Sequence, residues 1–435
     1  MRILITDGRV VDPASGRDER ADVAIDAGRI VAIGRAAPDF EPARRIDASG
    51  CIVMPGLVDL AARLREPGRE HEGMLESELK AAAAGGITSL VCLPDTEPPL
   101  DEPGLVEMLK FRARKMSSCR LFPLGALTRG LEGEVLTEMA KLSEAGCVGF
   151  SQADRPVRDT MVMLRAMQYA ATFGHTVWLR PQDGWLGKGV AASGAVATRL
   201  GLSSVPVAAE TVALHTIIEL VRATGARVHL CRLSSSAGVA LVRAAKAEGL
   251  PVTADVSVHS LHLTDDDIGY FNADMRLTPP LRQGADRDAL RAALADGTID
   301  ALVSDHNPVD DDAKNLPFAE AEPGASAVEL LLSLALKWGQ EMGLGLPRTL
   351  ARVTSDPVRV LGAGLGPLSA SAGRLVEGGV ADICVADPAA TWQVTREALT
   401  SQGKHTPFDF AASGTALPGR VRATVLAGGM SFEAR

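Results

Sequence analysis

Apolar and polar positions alternate in short runs near the start of the chain. The runs "ILITDGRVVDP", "ADVAIDAGRIVAIG" and "RRIDASGCIVMPG" each break at Gly or Asp-Gly, the pattern of half-buried strands joined by tight turns. The far end repeats the pattern in "GRLVEGGVADICVADP" and "VRATVLAGGMSFE". The two ends are expected to build one small β domain from residues 1–56 and 366–435. Residues 57–365 read differently. Eight apolar runs suit parallel strands: "GLVDLAAR", "ITSLVCLP", "CRLFPLGA", "GCVGFSQ", "HTVWLRP", "ARVHLCRL", "PVTADVSV" and "IDALVSDH". Amphipathic stretches such as "GLVEMLKFRARKM" and "AGVALVRAAKAEG" lie between most of them. Strands alternating with helices predict a parallel sheet, and eight such units predict a closed barrel. The expected fold class is α/β: a (β/α)8 TIM-like barrel with a small β-sandwich domain made from both chain termini. Function is expected on the loops that follow the strand C-termini.

Composition narrows the function classes. The chain has 435 residues, 46% of them hydrophobic and 23% charged, which suits a globular protein with a large core. A net charge of -9 and the absence of a basic tract argue against nucleic acid as partner. No apolar run approaches the roughly 18 residues of a membrane span. The opening residues alternate like a strand and lack the charged-then-apolar order of a signal peptide. A cytoplasmic location is the expectation. The cysteines at 51, 92, 119, 147, 231 and 384 form no Cys-x-x-Cys pair, so they are expected as buried free thiols.

Several segments carry a family resemblance. "LREPG" (64–68), "KAAAAGGITSLVCLPDTEPP" (80–99), "RLGLSSVPVAAE" (199–210), "LTPPLR" (277–282) and "SDHNP" (304–308) resemble segments of the dihydroorotase family, within the amidohydrolase superfamily. The resemblance runs nearly the whole length. It implies hydrolysis or closure of a cyclic amide, with zinc polarising the carbonyl and activating water. A strand-eight aspartate then moves the proton. Such a site needs imidazoles and carboxylates at about 2 Å from the metal.

The residues at the family's ligand positions do not supply them. The first strand should end in two histidines, and here those positions hold Ala61 and Arg63. Alanine has no donor atom, and a guanidinium stays protonated and cannot ligate a cation. After the fourth strand, Gln152 and Ala153 stand where carboxylates belong, with Asp154 one residue late. Only a register slip brings Asp154 in. Arg180 and Arg232 replace the histidines after strands five and six, and Asp305 alone remains. The expectation is no metal and no cofactor. Arg63, Arg180 and Arg232 are expected to point into the mouth, at least one touching Asp305, with surplus positive charge left to attract an anion. Among the histidines, alternation places His229 opposite Arg232, facing helices or a neighbour. His259, His262 and His306 are read as packing residues.

The substrate-binding remnants are mixed. Arg65 matches the arginine that grips a substrate carboxylate in the family, although an ion pair with Glu66 or Asp305 explains it as well. Asp95 and Thr278 replace expected amide side chains, and Val309 follows where a histidine is usual. The resemblance favours a catalytically inactive dihydroorotase homologue. Metal-free chains of this kind partner aspartate transcarbamoylase in pyrimidine biosynthesis, which implies a homo- or hetero-oligomer. The alternative is a metal-independent hydrolase, still of dihydroorotase-like cyclic-amide type. It would use an arginine-lined anion site with Asp305 as base. Restored metal binding through other residues is a third reading.

Overall fold

The computed structural model describes residues 1–409 and 414–434. The expected composite domain therefore has residues 410–413 and 435 outside the described part. Strands form at all eight barrel positions: β1 (Leu57–Ala62), β2 (Ile87–Cys92), β3 (Arg120–Pro123), β4 (Phe150–Ser151), β5 (Thr176–Leu179), β6 (Arg227–Leu230), β7 (Val252–Ser257) and β8 (Ala301–Val303). Neighbours pair in parallel, and Gly125–Ala126, just past β3, pairs with β4. A parallel bridge between Ala62 and His306 brings β8 back beside β1 and closes the barrel.

Local chemistry starts and stops the covering helices. Asp159 caps the helix Thr160–Phe173 by accepting from the Met161 amide at 2.8 Å, and Gly174 ends it in the left-handed conformation. Ser235 caps Ser236–Ala247 through the Gly238 amide at 3.0 Å. Strand residues facing outward, such as Val177, Leu179, Val228 and Leu230, are buried against these helices. The alternate positions Val58, Leu60, Trp178 and Val303 fill the barrel interior. This two-sided burial explains why the strands read as nearly continuous apolar runs.

The termini meet in one eight-stranded sheet. Ile3–Asp12, Arg17–Asp26, Arg29–Gly34, Arg44–Asp47 and Ile52–Pro55 join Ile383–Trp392, Leu417–Leu426 and Gly429–Glu433. Ile383–Trp392 pairs antiparallel with Ile52–Pro55, so distant parts of the chain share one ladder. Ile3, Ile5, Val23, Ile25, Val53, Ile383 and Val425 enclose a separate core. Met54, Cys384 and Ala386, on the other face, join the barrel's outer core. All six cysteines are free, five buried and Cys231 half-buried. No helix among the described residues is long and apolar enough to cross a membrane.

Candidate functional site

Six strand ends deliver charge to one place, the C-terminal mouth of the barrel. Arg63 follows β1, Asp95 follows β2, Asp154 follows β4, Arg180 follows β5, Arg232 follows β6 and Asp305 follows β8. Asp154 is the hub. Its Oδ1 lies 2.5 Å from Arg232 Nη2 and 2.6 Å from Arg180 Nε. Its Oδ2 accepts from Arg63 Nη2 at 2.7 Å. Arg63 Nε also donates to Asp95 at 2.7 Å, and Arg232 Nη1 donates to Asp305 Oδ1 at 3.0 Å. Three guanidiniums thus face three carboxylates, and the formal charge sums to zero. The expected cationic surplus is absent, because Asp95 and Asp154 supply the missing negative charge.

Backbone conformation explains how Asp154 arrives. Strict alternation would aim it away from the mouth. Ala153, just before it, has φ 51°, in the left-handed region, and this turn brings Asp154 inward. Arg65, Arg232 and Asp305 have φ of 63°, 54° and 50°. Left-handed backbone at such residues costs of order 1–3 kcal/mol each and clusters at functional sites.

The left-handed backbone at Arg232 bears on the reading of His229. Because Arg232 lies past the end of β6 with φ above zero, both residues reach the barrel interior. The His229 ring packs 4.3 Å from Trp178, an interior residue. Its Nδ1 lies 2.8 Å from Thr253 Oγ1 and its Nε2 2.8 Å from Asp255 Oδ2. Asp255 Oδ1 accepts the Arg232 backbone amide at 2.6 Å. The pair buttresses the mouth from below.

The remaining sequence candidates fall into place around the network. Ala61 is buried and offers only its backbone. Gln152 is buried, its Oε1 accepting from Thr128 at 2.9 Å. Arg65 does not pair with Glu66 or Asp305. Its Nε lies 2.7 Å from Glu72 and donates to the Pro308 carbonyl at 3.0 Å, while Glu66 bonds the Leu75 amide and Arg112. Glu72 and Glu322, which also faces Arg65, carry no motif that could have revealed them. Thr278 is half-buried and makes no side-chain bond to the network among the described residues; Val309 is fully buried. His306 bridges Glu78 at 2.8 Å and the Ala327 amide at 3.1 Å, holding β8 to the helix Leu75–Ala84. His262 bonds the Leu334 carbonyl at 2.9 Å, and His259 stacks on Phe408.

The donor set does not fit the zinc that the fold implies. A cation at the Asp154 position would face three guanidiniums, and like charges 4 Å apart repel by ~4 kcal/mol at an effective dielectric of 20. Two other groups bring metal-type atoms within 4.8 Å among the described residues: His229, Cys231 and Asp255; and His71, Glu72 and Asp310. Both ring nitrogens of His229 are already bonded, and burial holds the Cys231 thiol well above its usual range. Glu72 is paired with Arg65 and Arg69.

Burial and charge divide the carboxylates. Burial opposes ionisation of Asp154, but Arg232, Arg63 and Arg180 overcome it and hold the group far below the usual carboxylate range. Burial dominates at Asp305, with Arg232 opposing, and pushes it up to about 6. Buried Asp59, bonded by Ser304, is also pushed up to about 6. A raised folded value means that the folded state keeps a proton the unfolded chain has lost. Stability from Asp305 and Asp59 is full below about pH 4 and falls as pH rises through about 6, by at most ~3 kcal/mol per group. The Asp154 contribution has the opposite sign and is lost only at lower pH. Burial pushes His259 and His262 down to about 3, and these gain stability as pH rises over the same interval, so the Asp305 effect is read as a difference between variant and parent. In urea unfolding, the change in stability from pH 4.5 to 7.5 should be more favourable in Asp305→Asn than in the parent by ~2 kcal/mol. An identical change in variant and parent would place the titration elsewhere.

With this geometry in hand, comparison with known proteins gives a consistent picture. A family model described as dihydro-orotase-like matches residues 50–237. A dihydroorotase-like protein of Pseudomonas aeruginosa is 44% identical over 434 residues, covering 100% of both chains. A dihydroorotase of Trichlorobacter lovleyi is 38% identical over 436 residues, again covering 100% of both. Among solved structures, an L-hydantoinase (dihydropyrimidinase) from Arthrobacter aurescens superposes with a TM-score of 0.85 at 25% identity, covering 98% of this chain and 95% of that one.

Proposed function

Because the chain belongs to the dihydroorotase-like family of the amidohydrolase superfamily, and its barrel mouth is filled by its own ions, we propose that it is a non-catalytic member acting as a subunit for aspartate transcarbamoylase in pyrimidine biosynthesis. The observation that carries the first half is the neutral cluster centred on Asp154. Cyclic-amide hydrolysis of the family type requires a metal-bound nucleophile. The residues at the mouth offer guanidiniums in its place. Relatives named dihydroorotase keep that activity in view, as does the metal-independent alternative with Asp305 as base. Two features weigh against the alternative. Asp305 already holds Arg232, and the arginines that would grip an anion are each committed to an aspartate.

The partner half rests on the family resemblance and on what the molecule presents outside the mouth. Phe111, Phe173 and Tyr270 are exposed large side chains on the outer helices and loops, the residue types that anchor interfaces. A stable interface needs about 800 Å² per side. Sizing this protein with aspartate transcarbamoylase at micromolar concentration tests the reading. One joint species is expected, unchanged by Asp305→Ala. Independent migration, with the transferase fully active and correctly assembled alone, would remove it.

A further inference from the structure

A second cleft opens beside the mouth, between the barrel wall and two outer helices. Its enclosed volume is about 110 Å³, too small for a drug-sized ligand but enough for a group of a few heavy atoms. The turn after β4 contributes Gln152, Arg155 and Arg158. The turn after β5 contributes Arg180, Gln182 and Trp185, and the helices Thr160–Phe173 and Ala208–Thr224 close the sides.

Its charge is unbalanced, unlike that of the mouth. Arg180 is neutralised by Asp154. Arg155 donates only to the Gly130 carbonyl, at 3.2 Å, and neither it nor Arg158 has an ion-pair partner among the described residues. The one carboxylate in the lining, Asp183, is occupied by the backbone amides of Trp185 and Leu186. Arg155 and Arg158 also line a neighbouring groove, together with Glu132, Glu134 and Asp159. The Arg158 guanidinium lies 5.0 Å from the centre of the Trp185 ring and Lys188 Nζ 4.2 Å from it, so the exposed indole holds two cations at the entrance. A second observation is independent of charge. Gln152 is 2% exposed, and its buried Nε2 has no acceptor. Buried amide donors are almost always bonded, so this one calls for an oxygen from water or from a ligand.

We propose that this cleft binds a small oxyanion, a carboxylate or phosphate group carried by a metabolite, through Arg155, Arg158 and the Gln152 amide. The site adjoins the filled mouth through Gln152 and Arg180 and does not depend on the proposed assembly. Titration calorimetry on the full chain tests it, with inorganic phosphate and malonate as probes and chloride at equal ionic strength as control. Saturable binding of at least one probe is expected. Arg158→Ala and, independently, Arg155→Gln should each weaken it by about tenfold or more, as loss of a charged hydrogen bond does. Arg222→Ala, which removes a guanidinium paired with Glu248, should leave it unchanged. Matching thermal unfolding of each variant and the parent separates lost binding from lost structure. Phosphate-only or malonate-only binding identifies the type of anion. Failure of both probes to bind saturably, or binding that survives the two arginine variants, would overturn the proposal.

Discussion

Replacing Asp154 by alanine should cost about 3–5 kcal/mol of stability, the range for removing one partner of a buried ion pair. Three guanidiniums converge on this carboxylate, and Arg180 and Arg232 have no more than 5% of their side-chain surface exposed. Without Asp154, Arg180 loses its ion pair, Arg63 keeps Asp95 and Arg232 keeps Asp305. The excess positive charge cannot be shed, because a guanidinium does not deprotonate. The Asp154 side chain is 30% exposed, so water offsets part of the loss and the lower half of the range is expected. Asp305→Ala makes a telling comparison. Asp305 has one arginine partner, and burial already raises it to about 6. Its removal should cost about 1–2 kcal/mol, closer to a single charged hydrogen bond. Urea midpoints of the two variants at neutral pH decide the point. Equal losses would mean that Asp154 is one carboxylate among several and not the centre of the cluster.

The contrast between what was legible in the sequence and what was not has a simple physical basis. Barrel strands buried on both faces read as apolar runs, so all eight positions were visible. The terminal sheet was visible too, because half-buried strands alternate. Equally plain was that alanine and arginine offer no zinc-binding atom in any conformation. Side-chain direction just past a strand end was not. Alternation holds only while the backbone stays extended, and Ala153 and Arg232 leave it with φ above zero. That is why Asp154 was placed outside the site and His229 on the wrong face. An alanine carries no sign that it will adopt a left-handed turn, whereas a glycine there would have. The Arg65 partners, Glu72 and Glu322, belong to loops that follow different strands, and only the closed barrel brings them together.

The second large effect concerns activity and is all-or-none. The purified chain should open the dihydroorotate ring no faster with excess zinc than buffer does. Zinc sites in this kind of chemistry need about three protein ligands and an open position. Among the described residues, the mouth offers only the carboxylates of Asp95, Asp154 and Asp305, each bonded to a guanidinium. Arg63→His restores one imidazole but leaves Ala61, Arg180 and Arg232, and it strips a partner from both Asp95 and Asp154. The variant should therefore be no more active than the parent. The decisive measurement is zinc-dependent turnover of dihydroorotate by the parent chain, followed as ring opening with the metal in excess. No turnover above the buffer rate is the expected result. Turnover that needs zinc and disappears in Asp305→Ala would contradict the account, because the mouth would then rearrange its own ions to admit a metal.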